Sequence, residues 1–122
     1  MKGILVIAHG SRVSEVENIM DAVVEDLRMK WPETPIESAF MEFGNKTIRA
    51  GMAALVAAGV TKIIVSPYFL FAGTHLQKTI PTILSGCMRD YPHIELSMAD
   101  PLGYDSRLCD ILADRISSQK DA

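Results

Sequence analysis

The sequence predicts an α/β fold: a single three-layer domain with a four-stranded parallel sheet, order 2-1-3-4, and helices on both faces. Three observations carry this. Short apolar, β-branched runs alternate with stretches whose apolar residues recur at helical spacing. Each run is separated from the next by one helix-length stretch, and such connections are right-handed crossovers that make neighbouring strands parallel. No linker, low-complexity segment or internal repeat interrupts the 122 residues. A chain of this size buries roughly 65% of the surface its unfolded form exposes. Residues 1–122 are therefore expected to be one domain, with a polar tail, 117–122, that frays.

The first strand is the run Ile4-Leu5-Val6-Ile7-Ala8, which has no polar alternation and so reads as buried on both faces of the sheet. It delivers His9, Gly10, Ser11 and Arg12 to its C-terminal end, and Gly10 permits a sharp turn or a close approach. Ser14 with Glu17 has the form of a capping box for the helix that follows. That helix carries Val16, Ile19, Met20, Val23, Val24, Leu27 and Trp31 as one apolar stripe, and Pro32 ends it. A second strand runs from Pro35 and Ile36 through Ala39, Phe40 and Met41 to Glu42. Asn45 is placed to cap a helix whose inner face is Ile48, Met52, Leu55 and Val56, and Gly59 stops it.

The third strand, Lys62-Ile63-Ile64-Val65-Ser66, is closed by Pro67. The stretch Tyr68 to His75 is too apolar for an idle surface loop. A helix is expected near Ile80, where Pro81 suits a first turn, with Ile83, Leu84, Cys87 and Met88 inward. Ile94, Leu96 and Met98 alternate as a fourth strand. A last helix from about Asp105 carries Leu108, Ile111, Leu112 and Ile116.

Composition narrows the function. A hydrophobic content of 48% with 22% charged residues is that of an ordinary globular protein, and no apolar run approaches the ~20 residues that span a bilayer. The start of the chain lacks a signal-peptide pattern, so a cytoplasmic location is expected. A net charge of −3 without a basic tract argues against nucleic-acid or membrane partners. Cys87 and Cys109 sit among apolar residues of two helices, without metal-finger spacing, and read as buried reduced thiols.

Strand order 2-1-3-4 opens a crevice at the C-terminal ends of strands 1 and 3, where open α/β sheets bind ligands. His9, Glu42 and His75 fall just beyond the ends of the first three strands. Two imidazoles and a carboxylate suit a borderline divalent ion such as Co²⁺, Ni²⁺, Fe²⁺ or Zn²⁺, and ligand type alone does not choose among them. Such a set serves a hydrolase with a metal-activated water, or an enzyme that hands its ion on. Leu70, Phe71, Ala72 and Gly73 offer an apolar wall suited to a large flat molecule, which favours the second. His93, after Pro92 at a strand entrance, reads as a surface residue.

Four segments, AHGSR after strand 1, AFMEF at the end of strand 2, GVTKIIVSPYFLFAGTH around strand 3, and IP opening the next helix, resemble the class II tetrapyrrole chelatases. The similarity is to the short sirohydrochlorin chelatases of the CbiX and SirB type, in family order across residues 4 to 81. The resemblance implies a chelatase-like fold and insertion of a divalent metal, Co²⁺ first, into sirohydrochlorin with release of two protons. Ni²⁺ or Fe²⁺ insertion are close variants. By position, it makes His9 a metal ligand and proton acceptor, His75 the second metal histidine, and Glu42 the acidic catalytic and metal position. Asn45, Leu70, Phe71, Ala72, Gly73, Thr74 and His75 match substrate-contacting positions. Thr79 departs from relatives that carry an acid before IP, which removes either a helix cap or a carboxylate on the metal's route.

The resemblance implies no organic cofactor, the metal being a substrate. It also implies a homodimer, since double-length members contain two such domains facing one another. Arg12, Lys46, Arg49 and Lys78 are expected to form a positive rim for a carboxylate-rich macrocycle. Two other functions remain in play. A carrier of metal or tetrapyrrole would bind without turnover. Histidine-based phosphoryl transfer would want an arginine before His9, where the chain has Ala8.

Overall fold

The computed structural model describes residues 1–119. The elements are β1 (Lys2–Ala8), α1 (Ser14–Lys30), β2 (Ile36–Phe40), α2 (Ile48–Ala57), β3 (Lys62–Pro67), α3 (Ile80–Met88), β4 (Glu95–Met98) and α4 (Ser106–Ser117). A single π-turn, His75–Thr79, leads into α3. All strand pairs are parallel and the order is β2-β1-β3-β4, as the crossovers require. The register sets Ala8 beside Phe40 on one side and Ile7 beside Pro67 on the other, so the strand ends are level.

β1 is buried on both faces because alternate side chains enter two separate cores. Leu5 and Ile7 join Ile63, Val65, Met52, Leu55, Ile80, Leu84 and Cys87 beneath α2 and α3. Val6 and Ala8 join Met20, Val24, Ile36 and Phe40 beneath α1. Each large apolar side chain sealed in this way contributes about 1.5–3 kcal/mol. Gly51 lets α2 lie close on β1, since a Cβ there would stand 2.6 Å from Leu5 Cδ1. Gly59, at φ +90°, ends α2 as expected.

Local details differ from the sequence expectation at the caps. Val13, not Ser14, is the N-cap of α1, and no side chain caps it; the Ser11 hydroxyl accepts from the Val13 amide at 3.1 Å instead. The capping box is therefore not formed, and Glu17 lies 3.7 Å from Lys46. Asn45 is exposed and Thr47 caps α2, its hydroxyl accepting from the Ala50 amide at 3.0 Å. In α1 the inward row is Val16, Met20, Val24 and Leu27, whereas Ile19 and Trp31 stand half exposed. β2 ends at Phe40 rather than Glu42, although its backbone pairing with the β1 side continues beyond.

The largest departure is at the C-terminal end. α4 forms where expected, capped by Asp105, whose Oδ1 accepts from the Arg107 amide at 2.9 Å. The Arg107 side chain, bonded to the same carboxylate, holds Asp105 well below the usual carboxylate range. Yet α4 buries none of its residues: Leu112 is 61% and Ile116 59% exposed. Cys109 is accordingly exposed, whereas Cys87 is buried, and both are free thiols. Met98 is likewise exposed because β4 is an edge strand, with only Leu96 half buried. The helix continues through Ser117, so the expected fraying from that residue is not seen within the described chain; 120–122 lie outside it. Among the described residues, no helix is long and apolar enough to cross a membrane.

Candidate metal-insertion site

The site is built from the segments that leave β1, β2 and β3 at their C-terminal ends. Parallel pairing does not stop at the last strand residue. The Met41 amide donates to the Ala8 carbonyl at 3.0 Å, and the Glu42 amide to the His9 carbonyl at 3.1 Å. On the other side the Tyr68 amide donates to the Ile7 carbonyl at 2.8 Å. Gly10, at φ +97°, turns the chain directly over this clamp, where an added Cβ would lie 2.1 Å from the Glu42 carbonyl oxygen. Only glycine fits both the sign of φ and the approach.

This backbone arrangement sets His9 beside Glu42, with Nε2 3.4 Å from Oε2 and both side chains about half exposed, 48% and 50%. That is longer than a direct hydrogen bond. His75, the first residue of the π-turn, brings its ring to His9 edge-on, with centroids 5.1 Å apart and planes inclined by 67°. The two imidazoles thus meet across the mouth, and His9 is the member that reaches both partners. Among the described residues, no three His, Cys, Asp or Glu side chains are gathered closely enough to hold an ion together. His9, Glu42 and His75 form two neighbouring pairs, not a preassembled cage.

The remaining expected residues divide. Leu70 and Phe71 lie on the exposed loop after β3, braced by amides of Leu102 and Gly103 that donate to the carbonyls of Phe69 and Leu70 at 2.8 Å. With Tyr104, Leu108 and Leu112 they line an apolar hollow of about 410 Å³ beside α4. Ala72, Gly73 and Thr74 are exposed on the approach to His75. Thr79 stands half buried at the end of the π-turn and its side chain caps nothing. His93 is exposed at the entrance of β4, as expected.

The expected cationic rim is smaller than its sequence suggested. Lys46 turns to Asp21 at 2.9 Å, and that hydrogen bond raises its pKa. Arg49 is taken by Asp90 at 2.9 Å. Neither Arg12 nor Lys78 makes an ion pair among the described residues. Arg12 instead lies over the ring of Phe43, 5.0 Å from its centroid. Phe43 was not singled out by sequence reasoning. Its φ of 64°, followed by Gly44 at 85°, is the rare left-handed pair that lets the ring fold back beneath Arg12. An aromatic residue directly before a glycine in a loop is too common a pattern to have revealed it.

The CbiX family model matches residues 3–119. The chain belongs to the CbiX family. This CbiX-family chain is 33% identical to a sirohydrochlorin cobaltochelatase of Methanosarcina acetivorans, over 93% of either chain. It is 34% identical to a sirohydrochlorin ferrochelatase of Priestia megaterium, over 96% of this chain but 44% of that one. Among solved structures it is similar to the sirohydrochlorin chelatase SirB of Bacillus subtilis subspecies spizizenii in complex with cobalt. The TM-score is 0.88 at 29% identity, covering 95% of this chain and 50% of that one. It therefore spans nearly all of the Methanosarcina relative and about half of the Priestia relative and of SirB.

Proposed function

We propose that this CbiX-family chain is a sirohydrochlorin chelatase that inserts a divalent metal, Co²⁺ foremost, into the macrocycle with release of two pyrrole protons. The observation that carries the reading is the edge contact of His9 and His75 at 5.1 Å, in an open mouth with Glu42 3.4 Å from His9. Neutral imidazoles hold a borderline ion firmly enough to orient it and loosely enough to release it. As the macrocycle nitrogens displace them, the ring nitrogens become free. Each can then accept a proton from a pyrrole, for which an imidazole is suited near neutral pH. Glu42 Oε2, beside His9 Nε2, is the next acceptor on the way to water. Arg12 and Lys78, cations without an ion pair among the described residues, are available for the substrate's carboxylates. Asn45 and the loop Leu70 to His75 supply the remaining contacts in this reading.

Incubation with sirohydrochlorin and excess Co²⁺, followed by visible absorption, tests the proposal. An enzyme converts many equivalents of macrocycle, whereas a change that halts at one equivalent identifies a carrier and overturns the catalytic reading. Parallel runs with Ni²⁺ and Fe²⁺ rank the metals.

The active form in this reading is a homodimer, and α4 is its contact. Leu112, Ile116 and Tyr104, the last at 89% exposure, present an apolar surface that nothing among the described residues covers. Such a surface marks a protein contact. Sedimentation at micromolar concentration is expected to give a dimer, and Leu112→Glu a monomer. A monomeric parent protein removes this part of the proposal.

A further inference from the structure

The π-turn His75–Thr79 begins at His75 and runs directly into α3, whose second residue is Pro81. Helical winding begins before α3: Thr74 already has α dihedrals, and the Gln77 amide donates to the Gly73 carbonyl at 2.9 Å. Pro81 is in the first turn of α3, as expected, but that turn follows on helical winding already under way from Thr74. A proline there donates no hydrogen bond to the carbonyl four residues back, Gln77, and its ring crowds that carbonyl. The chain responds by widening: the Ile80 amide reaches back five residues to the His75 carbonyl. The Thr82 hydroxyl donates to the Lys78 carbonyl at 2.7 Å, in the same disturbed turn.

The widening changes the phase of His75. In an α-helix each residue advances about 100°, so the nine positions from His75 to Leu84 would sum to about 900°. His75 would then stand half a turn from the buried Leu84, pointing away from the sheet. A turn closed five residues back in place of four absorbs one extra residue, about 100° of rotation, and swings His75 round towards the mouth. We infer that Pro81 is a positioning residue: by enforcing the widened turn it aims the His75 ring at His9. Pro81 touches neither ion nor macrocycle in this role. It acts entirely through the backbone of residues 75–80.

The inference uses the chelatase reading only for its metal-binding arm, and the test keeps the two apart. In metal-free protein, nuclear Overhauser contacts between the ring protons of His9 and His75 report the pairing directly. Pro81→Ala restores the missing amide, lets the stretch wind as a plain α-helix, and is expected to abolish those contacts while helix content and melting temperature are held or raised. Co²⁺ affinity, read from the visible bands of the bound ion, is expected to fall about tenfold or more. Deleting Gln77 in the Pro81→Ala background is expected to restore both signals. Only eight positions then separate His75 from Leu84, about 800°, the phase that the widened turn gives, which returns His75 to the side of the mouth. Damage of a general kind would not be repaired by removing a further residue. Persistence of the ring contacts in folded Pro81→Ala, or their failure to return in the deletion variant, overturns the inference. If Pro81→Ala alone does not fold, the deletion variant, which needs no widened turn, decides by the same ring contacts. Loss and return of the contacts in a protein that never metallates sirohydrochlorin would uphold the role of Pro81 and defeat the proposed function.

Discussion

Replacing His9 with alanine is expected to lower the rate of Co²⁺ insertion by at least about 100-fold, the usual range for losing a proton-transfer group. The effect is large because His9 stands in both pairs of the site: its ring meets His75 at 5.1 Å and its Nε2 faces Glu42 at 3.4 Å. Removing it leaves His75 and Glu42 without their common neighbour. The side chain is half exposed, so the fold should tolerate the change with a melting temperature close to that of the parent. Initial rates of the absorbance change at saturating sirohydrochlorin measure the effect. An alanine variant that keeps more than a tenth of the parent rate would mean that His9 neither holds the ion nor takes a proton.

Gly10→Ala should cost nearly as much without touching any side chain of the site. The residue has φ +97°, and the new methyl carbon would lie 2.1 Å from the Glu42 carbonyl oxygen, a backbone atom that cannot swing aside. The segment after β1 must then separate from the segment after β2, breaking the Glu42-to-His9 backbone bond of 3.1 Å and parting the two side chains. Displacement of about 1 Å at a reacting group is enough for roughly a 100-fold loss. Gly59→Ala is the control. It has nearly the same φ, +90°, but nothing within 4 Å of the added carbon. Both variants should lose about 1–3 kcal/mol to the backbone conformation. Only Gly10→Ala should also lose the insertion rate, and equal rates for the two would show that the close approach is immaterial.

The strand framework was legible because its causes are local or nearly so. Ile4 to Ala8 carries no polar alternation, and helix-length connections leave few ways to order four strands. The meeting of His9, Glu42 and His75 followed, since strand ends in a level parallel sheet share one edge. The caps were harder to read. Ser14 and Thr47 each lie beside an alternative, and a shift of one or two residues in where the winding starts decides which oxygen meets a free amide. Lys46 and Arg49 were misplaced on the rim because Asp21 and Asp90 come from elements 25 and 41 residues away. Pro81 falls in a first helical turn as expected, but nothing nearby in the sequence shows that winding is already under way from Thr74. The apolar stripe of α4 showed that this helix needs a cover without showing where the cover comes from.

The openness of the mouth bears on what the ion brings with it. With His9 and Glu42 each about half in solvent, and no third ligand assembled among the described residues, a cation arriving in the proposed reaction would keep much of its hydration shell. In the proposed reaction only a few waters would then have to be stripped by the protein, the others being exchanged one at a time against the ring nitrogens of the macrocycle. Desolvation, the costly part of moving a small dication, would be spread over many small steps at a mouth that leaves both side chains half in solvent.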